Sequence, residues 1–221
     1  EPLADFIEAN VQTHGVDVDG EAAKFVDEAK EVPDVEAALS GARDIIAERI
    51  SDTAEVRAAL RKLFAEQGTV TSKVMFGKEQ DAEAQKFRDY FEWTEPMKTI
   101  PSHRMLAIRR GEKEGHLILR IQPPEADAIQ LVERLTVVGN TAASQQMRLA
   151  AADSFKRLLS ASMETEARLE SKKKADTEAV RVFADNLREL LLAAPLGQKR
   201  VLGIDPGFRT GCKVVVLDAQ G

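Results

Sequence analysis

Residues 140–194 contain neither glycine nor proline. No other feature constrains the fold as strongly, because these two residues are the ones that most readily interrupt a helix. Leu149, Ala152, Leu158, Leu159, Met163 and Ala167, and then Val180, Phe183, Leu187, Leu190 and Leu191, supply apolar faces along the stretch. The pattern predicts two or three long helices with a joint near 171–177, ended by Pro195 and Gly197.

Shorter segments surround this stretch. Gly15, Gly20 and Pro33 divide the start of the chain into two short helical pieces, around 3–10 and 20–30. Asp34 is placed to cap a helix to about Ile50, with Leu39, Ala42, Ile46 and Ile50 on its apolar face. Asp52 followed by Glu55 resembles a capping box. The helix after it carries Val56, Leu60, Leu63 and Phe64 and stops at Gly68. Residues 69–76 alternate and are β-branched, which suits a short strand or an extended link.

A helix over 82–91 would bury Phe87, Tyr90 and Phe91. Pro96 and Pro101 disfavour helix just before them. A new helix starts at Pro101, where the missing N–H costs nothing, and runs to Arg110 before ending at Gly111. Strand periodicity returns over 116–121, and helix over 125–135. Two apolar strands, 201–204 and 211–217, flank a turn at 205–211.

The fold class is therefore mainly α: a multi-helical region with a short strand or two and a C-terminal β-hairpin. Its expected organisation is a helical region over 1–136, long spine helices over 137–197, and a distinct β segment over 198–221. The lone hairpin has few sheet neighbours, so its apolar strands should lie on helices or pair with another copy of the chain.

Of the 221 residues, 43% are hydrophobic and 31% charged, a composition for a globular protein with a substantial core. The apolar run around 190–195 is too short to span a membrane, and the start shows no signal-peptide pattern. The chain opens on Glu1-Pro2 without Met and closes on a turn that should lead into more strand, so a fragment of a longer protein is expected. Thirty-seven acids against 31 bases give a net charge of −6. That disfavours nucleic-acid binding over the whole surface and leaves room for a local basic patch. The single cysteine, Cys212, excludes an intrachain disulfide, fits a reducing cytoplasm, and is expected to be a small core residue. With three histidines beside it, a Cys/His zinc site is not expected.

The sharpest motif is Leu202-Gly203-Ile204-Asp205-Pro206-Gly207-Phe208-Arg209-Thr210-Gly211. An acid at the end of a buried strand, followed by a glycine-rich hairpin, can present a carboxylate to a hard cation. Asp-Pro-Gly is equally a good turn sequence, and one acid is not a two-metal site. Asp205, Pro206, Gly207, Arg209 and Gly211 are therefore motif residues without an assigned metal.

Arg104, Arg109, Arg110 and Lys113 can make a phosphate-binding face. The interleaved Glu112 and Glu114 favour a solvated, ion-paired helix face instead. Lys172, Lys173 and Lys174 are either a nucleic-acid contact or a solvated kink, and Glu166, Glu170 and Asp176 favour the kink. Ser102 and His103 are neighbours on one helix and so not a catalytic dyad; Ser102 is expected to help cap that helix. Trp93, Tyr90 and Phe91 can stack on bases but are read as core.

Several separated stretches resemble the Tex family of bacterial transcription accessory proteins, relatives of the eukaryotic Spt proteins. They are Glu1-Pro2-Leu3-Ala4-Asp5, Gly41-Ala42-Arg43-Asp44-Ile45-Ile46, Gly77-Lys78-Glu79, Lys86-Phe87-Arg88-Asp89-Tyr90-Phe91, Pro101-Ser102-His103-Arg104, Arg110-Gly111-Glu112-Lys113-Glu114-Gly115, Phe183-Ala184-Asp185-Asn186-Leu187 and the 202–211 motif. Their order and gaps fit over nearly the whole chain. The resemblance implies a helix-turn-helix-like helical region followed by the first hairpin of a ribonuclease-H-like, YqgF-type α/β domain, with Asp205 at that fold's first acidic position.

It also implies a cytoplasmic, non-enzymatic scaffold without cofactor. Its expected partners are RNA or DNA, bound weakly by this segment, and RNA polymerase or ribosome-associated machinery, with no membrane. Two rivals remain: part of a metal-dependent nuclease using Asp205, and a protein-interaction module for RNA polymerase.

Overall fold

Capping and apolar spacing build the helices of the N-terminal part. In the computed structural model, which describes residues 1–207 and 211–220, α1 (Pro2–Ala9) and α2 (Val18–Ala23) precede α3 (Val35–Asp52). The Asp34 carboxylate accepts the Ala37 N–H at 2.8 Å, satisfying a donor the first turn leaves free. Leu39, Ala42, Ile46 and Ile50 are buried as their spacing predicts. The second helical piece is shorter than 20–30: α2 ends at Ala23, and Glu28–Lys30 is a single 3₁₀ turn.

α4 (Ala54–Gln67) follows after Thr53 alone, and the capping box is absent. Asp52 is the last residue of α3, and Thr53 Oγ1 donates back to the Arg49 carbonyl at 3.0 Å, closing α3 rather than opening α4. Gly68 ends α4 by close approach: a Cβ there would lie 2.2 Å from the Phe64 carbonyl oxygen.

A three-stranded antiparallel sheet has the order β2-β1-β3, with β1 Thr69–Val74, β2 Glu92–Pro96 and β3 Leu117–Gln122. Pairs such as Val70↔Ile121 and Ser72↔Leu119 set the register. That register buries Val70, Ser72, Leu117, Leu119 and Ile121 on one face and leaves Lys73, Ile118 and Arg120 exposed on the other. β2 corrects the proline-broken reading of its segment. Pro96 stands at the end of an edge strand, where a missing N–H is tolerated. The preceding segment, Ala84–Tyr90, is 3₁₀ rather than α-helical; it buries Phe87, while Tyr90 and Phe91 are only partly buried.

α5 (Ser102–Lys113) runs past Gly111 instead of ending there. Gly111 is buried against β3, and a Cβ would meet Leu117 Cδ1 at 2.6 Å. The residue with left-handed φ after this helix is Gly115, at +75°.

After α6 (Glu125–Thr136), Thr141 and Ser144 form a capping box that starts α7 (Ala142–Asp153). A π-helical segment, Ser154–Leu159, carries the backbone directly into α8 (Ser160–Leu191). The expected joint near 171–177 does not exist. Ser171 and Ala175 are buried there and Lys172 pairs with Asp176 one turn on, so packing and local charge both favour continued helix. The irregularity falls earlier, where Ser154 Oγ donates to the Ala47 carbonyl of α3 at 2.8 Å and Phe155 and Leu159 enter the core.

α8 also closes the free edge of β3. The buried Glu164 accepts the Ile121 N–H at 3.1 Å, and Arg168 donates to the Leu119 carbonyl at 3.2 Å. Two helix side chains thus satisfy edge groups that would otherwise invite another strand.

Contacts divide the chain into two units, Glu1–Ala179 and Val180–Gly221, with the division inside α8. In the second unit, β4 (Val201–Gly207) pairs antiparallel with β5 (Gly211–Leu217). Asp205, Pro206 and Gly207, expected in a turn, are instead the last residues of β4. Within the single chain Leu202, Ile204, Val214 and Val216 are exposed, and so is Cys212, which is not the core residue expected. Val180, Phe183, Leu187, Leu190 and Leu191 are exposed as well. Among the described residues, no helix is long and apolar enough to cross a membrane.

Candidate functional site

The four cations of α5 leave the helix in different directions. The Arg104 guanidinium lies 4.6 Å from the centre of the Trp93 ring and donates to Glu95 Oε2 at 2.6 Å. Trp93 Nε1 donates to the same oxygen at 3.3 Å, and Tyr90 packs edge-on to Trp93 at 6.0 Å. The cluster ties α5 to β2 and uses both the aromatic faces and the charge internally. Arg109 donates to the Arg168 carbonyl of α8 at 3.3 Å. Arg110 donates to Glu114 at 2.7 Å. The other oxygen of Glu114 is 2.5 Å from Lys86, and these cations, Lys86 foremost, pull the Glu114 carboxyl from its ordinary 4.5 to about 2. Lys113 is exposed and has no ion pair among the described residues.

Of the basic run on α8, Lys172 pairs with Asp176. Lys173 and Lys174 are exposed without ion pairs among the described residues. The bond from Arg109 to the Arg168 carbonyl brings Arg109 within a helical turn of Lys172. Arg104 and Arg110 stay with their own acids. Ser102 does not cap α5: its hydroxyl donates to Glu178 of α8, while Pro101 occupies the N-cap.

Asp205 lies opposite Lys213 in the hairpin, Pro206 opposite Cys212, and Gly207 opposite Gly211, whose φ of +81° suits glycine. Arg209 lies outside the described residues. Among the described residues, no group of three or more His, Cys, Asp or Glu is arranged to hold a metal ion.

Two further features escaped sequence reasoning. α4 and α8 are joined by Arg57 and Arg61, each 2.6 Å from a different oxygen of Glu166, which they hold below the usual carboxylate range. Beside this pair lies an apolar cleft of about 360 Å³ lined by Phe64, Met97, Met163 and Leu169. The second feature is Phe76, the last residue of the stretch expected to be a short strand or an extended link, which is 96% exposed in the turn after β1. Gly77 was the available signal for that turn.

Comparison with known proteins identifies the architecture. Residues 14–183 match a family model described as Tex central region-like. The chain is 39% identical to "Protein tex" of Bordetella pertussis and 37% identical to "Transcriptional accessory protein Tex" of Neisseria gonorrhoeae, with the whole of this chain and 29% of each relative covered. It is 28% identical to the human "S1 RNA-binding domain-containing protein 1" over 66% of this chain and 15% of that protein. The chain thus spans about three tenths of the bacterial relatives it matches. With a family model over most of its length and relatives aligned throughout, this chain belongs to the Tex family.

Proposed function

We propose that this chain is a scaffold and nucleic-acid-interacting segment of a bacterial transcription accessory protein, with RNA or DNA binding carried mainly by the full-length protein. The observation that carries the scaffold role is the continuous backbone from α7 through α8. One helical rod grips α3 through Ser154, α4 through Glu166, and the β3 edge through Glu164 and Arg168. Such a rod ties together the helices and the sheet of the first unit. The human relative is named for an S1 RNA-binding domain, which supports a nucleic-acid partner for the family. Lys113, Lys173 and Lys174, free of ion pairs among the described residues, are the sequence-predicted cations best placed to meet phosphates.

In this proposal the segment is not an enzyme and works in the cytoplasm. Its β4–β5 hairpin is the opening hairpin of a YqgF-type, ribonuclease-H-like domain, and RNA polymerase or ribosome-associated machinery is the protein partner. Fluorescence anisotropy with single-stranded RNA and duplex DNA tests the nucleic-acid part. The expected result is weak binding at low salt that falls steeply by physiological salt. No binding at low salt would contradict it. Magnesium-dependent cleavage lost in full-length Asp205→Asn would replace the scaffold with a nuclease.

A further inference from the structure

Phe76 is the most exposed large apolar residue described in the protein, at 96% of its surface. Scattered apolar residues on a surface are ordinary. This one is different because a built turn holds it out. The Lys78 N–H donates to the Met75 carbonyl at 3.0 Å, closing a four-residue turn with Phe76 second and Gly77 third. Gly77 has φ +77°, the conformation that a type II turn demands at its third position. The Met75 N–H donates to the His116 carbonyl at 2.9 Å, so the turn is pinned to the connection between α5 and β3. Lys78 Nζ is 2.8 Å from Asp81, which braces the turn from its far side.

The charges around this turn are of both signs, and the exposed Glu79, three residues after Phe76, has no ion pair among the described residues. Lys78 is neutralised by Asp81, and Lys86 by Glu114. Two cations stay without ion pairs among the described residues: Lys73, three residues before Phe76 on the open sheet face, and Lys113, in the last turn of α5 just before the connection that pins Met75. Glu92 stands opposite Lys73 in the strand pair without forming an ion pair with it. Lys73 also faces the half-exposed Ile118 across the β1–β3 pair. A rigidly presented aromatic ring, with one free ammonium group on the strand that leads into its turn and another on the helix whose connection pins that turn, has the chemistry that binds an unpaired nucleobase and its phosphates.

We infer that Phe76 is a stacking platform for one base of a single-stranded nucleic acid, with Lys73 and Lys113 contacting the flanking phosphates. This rests on the proposed nucleic-acid role and names the surface that serves it. A duplex cannot offer a base to this ring without unstacking, so single strands are the preferred partner.

The test is anisotropy of a fluorescein-labelled, mixed-sequence 12-nucleotide RNA, titrated with the intact chain at low salt. A hairpin-free duplex of the same sequence is titrated in parallel. Phe76→Ala is expected to weaken single-strand binding by about five- to a hundredfold, and Phe76→Trp to preserve it. Lys73→Glu should weaken binding and flatten its salt dependence. Because Phe76 packs on so little, both Phe76 variants should melt like the parent chain, which circular dichroism checks. If the parent chain binds and Phe76→Ala binds equally well, the platform is wrong and the nucleic-acid role stands. Duplex binding as tight as single-strand binding would also remove the stacking assignment. If the parent chain binds no RNA at all, the broader proposal falls and takes this one with it.

Discussion

α8 passes from one environment to another without a break in its backbone. Up to Ala179 it belongs to a packed body, where Met163, Glu164, Ala167, Ser171 and Ala175 are buried. From Val180 onward every residue of the helix is exposed, although Val180, Phe183, Leu187 and Leu190 keep the spacing of a buried stripe. The two halves share helical periodicity and differ in burial among the described residues. Periodicity therefore reports which face a helix would bury, and only the tertiary structure reports whether anything covers it.

The largest effect expected from this contrast compares two phenylalanines. Phe64 is 1% exposed and Phe183 is 68% exposed. Phe64→Ala should cost about 3–5 kcal/mol of unfolding free energy. Phe183→Ala should stay within about 0.5 kcal/mol. Urea denaturation of both variants measures the difference, and comparable losses would mean that the second half of α8 is buried after all.

Glu164 gives the next largest effect. Replacing it with Leu leaves the buried Ile121 N–H without its acceptor, at an expected cost of about 1–3 kcal/mol, while the exposed Arg120, 3.2 Å away, returns to solvent. Glu164→Gln keeps an acceptor and should cost less. Equal losses for the two would assign Glu164 to packing alone.

Two helical glycines sharpen the same point. An Ala at Gly111 would press on Leu117 at 2.6 Å and Phe87 at 3.2 Å and should destabilise by about 1–3 kcal/mol. At Gly41 of α3 nothing lies within 4 Å of an added Cβ, so Gly41→Ala should stabilise by about 0.5–1 kcal/mol. Thermal melts of the pair should therefore move in opposite directions.

The smallest effect is electrostatic. The Glu114 carboxyl is held at about 2, below its ordinary 4.5, so its contribution to stability is full above about pH 4.5 and is lost as pH falls toward 2. Glu114→Gln should flatten that part of the stability profile. An unchanged acid limb would mean that Lys86 and Arg110 do not hold this carboxylate in solution.

Local chemistry was legible in the sequence wherever it acted alone. Asp34 caps α3, Val56, Leu60 and Phe64 line α4, and β3 alternates because each of those signals lies within one turn or one strand. Features that depend on distant partners were not legible. β2 needs β1 twenty-odd residues away to make Trp93 and Glu95 a strand. Gly111 looks like a stop until Leu117 and Phe87 are seen against it. Among the cations, the pairing of Arg110 with Glu114 one turn on was legible from their spacing, whereas the engagement of Arg104 by Glu95 of β2 was not. Phe76 looked like one more strand residue because alternation does not reveal where a strand ends.

The most direct test of the contrast along α8 is amide hydrogen exchange, read residue by residue through the helix. The account predicts strong protection at Met163, Ala167, Ser171 and Ala175, approaching that of the global core, and a drop of at least tenfold from Val180 to Leu191. Uniform protection through Leu191 would contradict it and would mean that the exposed stripe has a partner within this chain.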